Sequence, residues 1–259
     1  MTPGRESKRS SCNRYAHSLP IAGVVILGSA FAAGIGAGAR MPGRVRVGKD
    51  SQAKTGGGSI FEAEKGRFRI MVNGQQVGKE EFEITPNNGK WIARGTTDAQ
   101  TAKGTAHVTG TLELQPDGTP VRYEWSTQGA KKASAAVTFA GATASIELHL
   151  ENARPFTQQF TFSSPRIAIL DNNLNYQYAV LARLYDWSKK GPQTFSVLVP
   201  QELTPGSATV ESLGKQDSGG KSLEELRVKT EDNEVDLYLD GTRLMRIAVP
   251  SANAEVIRD

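Results

Sequence analysis

The side chains able to do acid, base or metal chemistry are few and far apart. Beyond the basic N-terminal stretch there are two histidines, His107 and His149, each among the polar members of an alternating run, beside Thr109 and Glu147 respectively. A catalytic imidazole needs an orienting partner, and a zinc site needs several ligands converging at roughly 2 Å. Neither histidine has a second histidine or a cysteine at ligand spacing, so both read as surface residues and no metal is implied. The single cysteine, Cys12, precedes the first apolar run, which leaves the rest of the chain without a thiol for nucleophilic attack, disulfide formation or metal binding. Neither H-E-x-x-H nor G-x-S-x-G occurs. Gly56-Gly57-Gly58 lacks the Lys-Ser/Thr ending of a phosphate loop, so no nucleotide cofactor is implied either. Glu124, Asp171 and Asp186 are the candidates for a paired-carboxylate hydrolase acting on glycan or ester, chemistry that requires two carboxyls flanking one bond. Asp171 has a competing role at the start of a helix.

The aromatic and aliphatic residues form a second kind of candidate. Tyr123, Trp125, Tyr178, Leu181, Tyr185 and Trp187 combine large apolar area with polar handles, and would line a groove for an acyl chain if sheet and helix leave a space between them. Core packing is the competing account for every one of them. Which holds depends on the elements that carry them.

Four of the six lie on one helical pattern. Asp171-Asn172-Asn173 supplies capping side chains, and from Leu174 the apolar residues Tyr178, Leu181, Ala182 and Tyr185 follow at offsets of four, seven, eight and eleven. Lys189 and Lys190 suit a helix C-terminus and Gly191-Pro192 stops it, so a helix is expected over about 173–190. Tyr176, Val180, Leu184 and Trp187 widen the apolar arc, leaving only Asn175, Ala179, Arg183 and Asp186 as a hydrophilic strip. Such a helix must be enclosed on more than one side. Ile167 to Leu170 before it and Phe195, Val197 and Val199 after it read as buried strands.

The remainder alternates with a period of two. Phe68, Ile70 and Val72 lead into Asn73-Gly74, a hairpin signal, and Phe82 and Ile84 return, with Gly78 as a bulge candidate. Leu112 and Leu114, then Tyr123 and Trp125, Val137 and Phe139, and Ile146 and Leu148 continue the series. Four more runs, between Ala208 and Val249, are separated by Asp217-Ser218-Gly219-Gly220, Asp232-Asn233 and Asp240-Gly241. The fold class expected is mainly β: a large curled antiparallel sheet, a half-barrel or open barrel, wrapped around one long helix.

Leu19 to Ala39 is uncharged, follows basic residues and ends Ala37-Gly38-Ala39, the anatomy of a secretory signal peptide cut after Ala39, with an uncleaved membrane anchor as the alternative. Residues 40–58, rich in Gly, Lys and Arg, read as a flexible basic linker, and 59–259 as a single β-rich domain. Residues 1–39 carry a net +3 and 40–58 a net +4, so of the overall +4 the presumed domain holds −3. That distribution argues against a nucleic-acid partner, and places any electrostatic contact with a membrane within residues 19–58.

Phe68-Arg69-Ile70 with Gly74, Val77-Gly78-Lys79-Glu80 with Phe82, and Leu237-Tyr238-Leu239-Asp240-Gly241 leading to Arg246-Ile247-Ala248-Val249-Pro250 form a loose pattern spanning most of Ile60 to Asp259. It resembles a family of exported bacterial β-rich domains of unknown function, whose curled sheets are similar to those of periplasmic lipoprotein carriers. The resemblance implies an envelope location and a half-barrel, and it brings no catalytic residues. The function expected is that of an exported envelope protein without enzymatic activity, binding a lipid, acylated protein or other apolar ligand between sheet and helix. The alternatives are the envelope hydrolase above and a scaffold that recognises another envelope protein through a sheet edge.

Overall fold

Two Asn-Gly pairs set the register of the first three strands. Asn73 and Gly74 have φ of 51° and 75°, and Asn88 and Gly89 of 48° and 79°, the left-handed values that a two-residue hairpin requires. A computed structural model describes residues 58–259 apart from 102–103, 130–131, 219 and 232. The leader expected over 1–39 and nearly all of the linker expected over 40–58 lie outside the described residues.

The alternating runs become strands β1 (Glu64–Val72), β2 (Gln75–Asn87), β3 (Lys90–Thr101), β4 (Gly104–Leu114), β5 (Pro120–Gln128), β6 (Ala133–Ala140), β7 (Thr143–Leu150) and β8 (Phe156–Thr161). Then follow β9 (Ile167–Ile169), helix α1 (Tyr176–Leu184), β10 (Gln193–Val199), β11 (Thr204–Ser218), β12 (Lys221–Lys229), β13 (Glu234–Asp240), β14 (Arg243–Val249) and β15 (Ala254–Arg258). All fifteen strands belong to one sheet, in the order 8-7-6-5-4-3-2-1-15-14-13-12-11-10-9. Every neighbouring pair is antiparallel except β9 and β10, which run parallel and are joined through α1. β15 pairs with β1, Phe68 opposite Arg258 and Val72 opposite Ala254, so the last strand zips the two halves together. The bulge anticipated at Gly78 falls at Val77, where the β1–β2 register shifts between Ile70 and Met71.

The sheet is open, since β8 and β9 do not pair, yet only residues 162–166 connect them. A link of that length reaches roughly 20 Å at most. The two edges of the series are therefore brought round toward each other, which is the curl. One rim carries the hairpins β1–β2, β3–β4, β5–β6, β7–β8 and β10–β11; there the chain turns from β9 into the helix. Call this the near rim. The far rim carries β2–β3, β4–β5 and β6–β7, with the helix C-terminus.

α1 lies on the concave face against β3, β9 and β14, and all nine of its residues are buried. Each large apolar side chain removed from water contributes about 1.5–3 kcal/mol, so Val180, Leu181 and Leu184 make it a principal anchor of the core. The helix is shorter than its periodic pattern. It ends at Leu184 because Tyr185 turns to an extended conformation (ψ 123°). Gln193 then takes over the next peptide, accepting from Asp186 N–H at 3.0 Å and donating to Asp186 O at 2.8 Å. The expected hydrophilic strip is also mostly inside: Asn175, Ala179 and Arg183 are buried. Arg183 donates to Ala179 O and pairs with the buried Glu64, which pairs in turn with Arg258.

Candidate functional site

The helix start is capped from a distant strand. Asn175 occupies the N-cap position, but its side chain makes no capping bond. Glu80 of β2 does the work instead: its Oε2 accepts from Asn175 N–H at 2.7 Å and from Asn175 Nδ2 at 2.9 Å, and its Oε1 from Tyr176 N–H at 2.9 Å. A carboxylate here meets the positive end of the helix dipole. Burial nevertheless dominates, and the Glu80 carboxyl is pushed up to about 7 by desolvation, against the downward pull of those bonds.

A second buried carboxyl lies at the same end. Asp171 accepts from Tyr123 OH at 2.7 Å and from Gln201 N–H at 2.8 Å, and its own N–H donates to Gln177 Oε1, while the Gln177 side-chain amide nitrogen donates to the Tyr123 hydroxyl oxygen at 3.1 Å. Desolvation pushes Asp171 up to about 7 as well, and Tyr123 is raised by burial and by the adjoining Asp171 charge. The network ties β5, the turn after β9, the helix and the turn after β10 together. Its polar groups are occupied by one another, which fixes these segments in place.

Two facing glycines let the helix approach. Gly95 of β3 and Gly110 of β4 are directly paired. A methyl on Gly95 would lie 2.4 Å from Tyr176 Cδ1, and one on Gly110 would lie 2.6 Å from Leu174 Cδ1. The backbone itself is the wall against which these side chains pack.

From Gly110 a row of concave-face residues runs toward the edge of the sheet: Trp125, Ala135, Leu148 and Phe156, each directly opposite the next. Trp125 is 6% exposed, and Ala135 and Leu148 are buried, but Phe156 is 47% exposed. The parallel row nearer the near rim repeats the gradient, from buried Val108 through Thr127 and Ala133 to Leu150, 43% exposed. The Pro200–Glu202 turn reaches β6 from the other side. The result is an apolar shelf, roofed at its inner end and open at Leu150 and Phe156. Trp125 Nε1, at the roofed end, has no hydrogen-bond partner among the described residues.

The six residues singled out for a groove between sheet and helix do not all come together. Tyr123, Tyr178, Leu181 and Tyr185 are buried in the core, Tyr123 through the Asp171 network and Tyr185 with its hydroxyl on Gly191 O at 3.2 Å. Trp187 is 48% exposed beyond the helix C-terminus, edge-on to Tyr185 at 5.1 Å, near the far rim. Trp125 alone belongs to the shelf. Leu148, Leu150 and Phe156 were the part that periodicity missed, because alternation marks them as concave-facing without telling how far the neighbouring layer extends over them. The three carboxylates considered for hydrolysis occupy three settings: Glu124 bonds Arg122 on the outer face, Asp171 lies in the interior, and Asp186 bonds Ser188 after the helix. His107 contacts Asp98 at 2.8 Å and His149 contacts Glu147 at 3.0 Å, both on the solvated side.

Two open concavities, of about 610 and 450 Å³, lie on the outer face. The larger is floored by the backbone of Gly66, Gly95 and Gly110, where inward glycines let the sheet dip. Its cations are engaged already, Lys65 and Arg94 with Glu83 at 2.9 and 3.0 Å and Arg67 with Asp259 at 3.9 Å. The smaller, over β5 to β8, is lined by polar residues including Arg122, Ser145, Glu147 and Gln159.

No family model matches the sequence, and no curated protein does. Among solved structures, the chain is similar to a β-barrel-like protein of the domain of unknown function DUF1849 from Brucella abortus, with a TM-score of 0.50 and 8% identity over 76% of this chain and 94% of that one. A DUF1089 family protein from Pseudomonas aeruginosa aligns at a TM-score of 0.46 and 9% identity, over 69% of this chain and 91% of that one. The chain thus has the fold of the first, a β-barrel-like domain of unknown function, as the resemblance in its sequence implied.

Proposed function

We propose that this chain is an exported, non-enzymatic protein of the cell envelope that holds a lipid or acyl chain on the concave shelf formed by β5 to β8. The observation that carries the reading is the run of exposure along one row, buried at Trp125 and open at Phe156, with Leu150 beside it. A protein with a core this large has no folding need to leave two large apolar side chains half-exposed on its concave side. The leader anatomy of residues 19–39 supports export, and the basic residues of 40–58 would hold the protein near anionic lipid. The dispersal of Glu124, Asp171 and Asp186 supports a binding role over a hydrolytic one.

The test uses the full chain expressed with its leader. Intact mass should show a cut after Ala39, organic extracts of the purified protein should contain lipid, and a hydrophobic fluorescent probe should be taken up. Leu150→Ser with Phe156→Ser should reduce probe uptake by about tenfold while leaving the melting temperature nearly unchanged, since both side chains are already half in water. Trp187→Ser, at the opposite rim, should leave uptake as it was. Absence of both co-purified lipid and probe uptake would remove the reading.

A further inference from the structure

We infer that the shelf selects a neutral acyl ester, whose carbonyl oxygen accepts the hydrogen bond that the buried indole N–H of Trp125 offers. This deepens the reading just given and rests on it. An indole nitrogen is a donor only, so whatever completes it must present an acceptor. Trp125 is more than nine-tenths buried, and leaving such a donor unmet is costly to the free protein. On its concave-face row it stands between Gly110, which has no side chain, and Ala135, which has the smallest. The row then runs out through Leu148 to Phe156. A hydrocarbon chain lying along that row would deliver the polar end of an amphiphile to the indole.

The charge around this end decides between an ester and a free acid. Asp171 is bonded to Tyr123, two residues before Trp125 and on the same face, and Glu80 caps the nearby helix start. The guanidinium groups of the buried Arg183 and the partly buried Arg258 are both held by Glu64. A carboxylate would meet two acidic groups to which no cation is bonded among the described residues, whereas an uncharged carbonyl satisfies the indole without that repulsion.

Methyl laurate, laurate and tridecane, delivered from cyclodextrin, are the probes. The ester should bind about two- to tenfold more tightly than the hydrocarbon, the worth of one hydrogen bond, and more tightly than the acid at pH 8. Trp125→Phe, which keeps a ring but removes the donor, should erase the preference for ester over hydrocarbon and leave hydrocarbon affinity little changed. On the wild-type chain, with signals assigned through Trp91→Phe and Trp187→Phe, the Trp125 indole 15N–H resonance should move downfield with methyl laurate and stay with tridecane. Equal binding of ester and hydrocarbon by the wild type, a preference that survives in Trp125→Phe, or an unmoved indole signal overturns the inference while the shelf stands. Failure of all three probes to bind removes the shelf reading itself.

Discussion

At the scale of single residues, the two buried carboxyls govern how stability answers to pH. Glu80 and Asp171 are both raised by burial to about 7 from ordinary values of 4.5 and 3.8. Between the unfolded and folded values the unfolded chain has lost a proton that the folded one keeps, so stability falls as pH rises through that window, by roughly 1 kcal/mol per pH unit for each group. Acidification from pH 7.5 to 5 should therefore raise the urea midpoint. Below about pH 4 the trend reverses, because Glu83, held low by its bond to Lys65, and Asp186, held low by Ser188, begin to lose their partners. Glu80→Gln and Asp171→Asn should each flatten the slope between pH 5 and 7, and the double variant should abolish it. A midpoint that drops steadily from pH 7.5 to 5 would show that these carboxyls are ionised and paired. Neither group was legible as a buried acid. Glu80 falls on the face of Phe82 and Ile84, but beside Lys79 and Glu81 it reads as part of a charged run, and the atoms it binds are 95 and 96 residues away.

Among the elements, the helix and the strand pair under it are matched to each other. Glycine to alanine within a strand ordinarily stabilises by lowering the entropy of the unfolded chain. Gly95→Ala and Gly110→Ala should do the opposite and cost about 1–3 kcal/mol each, since the new methyl collides with Tyr176 or Leu174. Chemical denaturation would measure this, and unchanged stability would mean that the helix can lift away from the sheet. The strand series was legible because each strand has one wet and one dry face, and Asn73-Gly74 marks a hairpin by chemistry alone. The helix was legible in kind but not in length. Its apolar period runs on through Tyr185 and Trp187, while its end is set by Gln193, a residue of the following strand. Periodicity reports which side chains share a face and is blind to a distant amide that captures the backbone. The same limit applied at Gly95 and Gly110, since a missing side chain leaves no mark in an alternating pattern.

For the molecule as a whole, one carboxylate joins the beginning, middle and end of the chain. Glu64 opens β1, Arg183 lies in the last turn of α1 and Arg258 ends β15, and the two guanidinium groups share that one buried acid. Glu64→Gln would leave the buried Arg183 and the partly buried Arg258 without this counter-charge and should cost about 3–5 kcal/mol, read as a lowered denaturation midpoint with the transition still cooperative. A loss below about 1 kcal/mol would show that water reaches the cluster. The curled, helix-filled sheet was legible at this scale from the frequency of turns and the greasy helix. The strand order was not, because nothing local announces that β15 pairs with β1. That pairing has a topological consequence. Read across the sheet rather than along the chain, the strands form one continuous path from β9 to β8, up-and-down from β10 onward, and the native backbone merely enters that path in the middle. Splicing the tail to the head and cutting within 162–166 would yield a circular permutant whose successive strands are all spatial neighbours, turning the most distant contacts of the native chain into hairpin contacts.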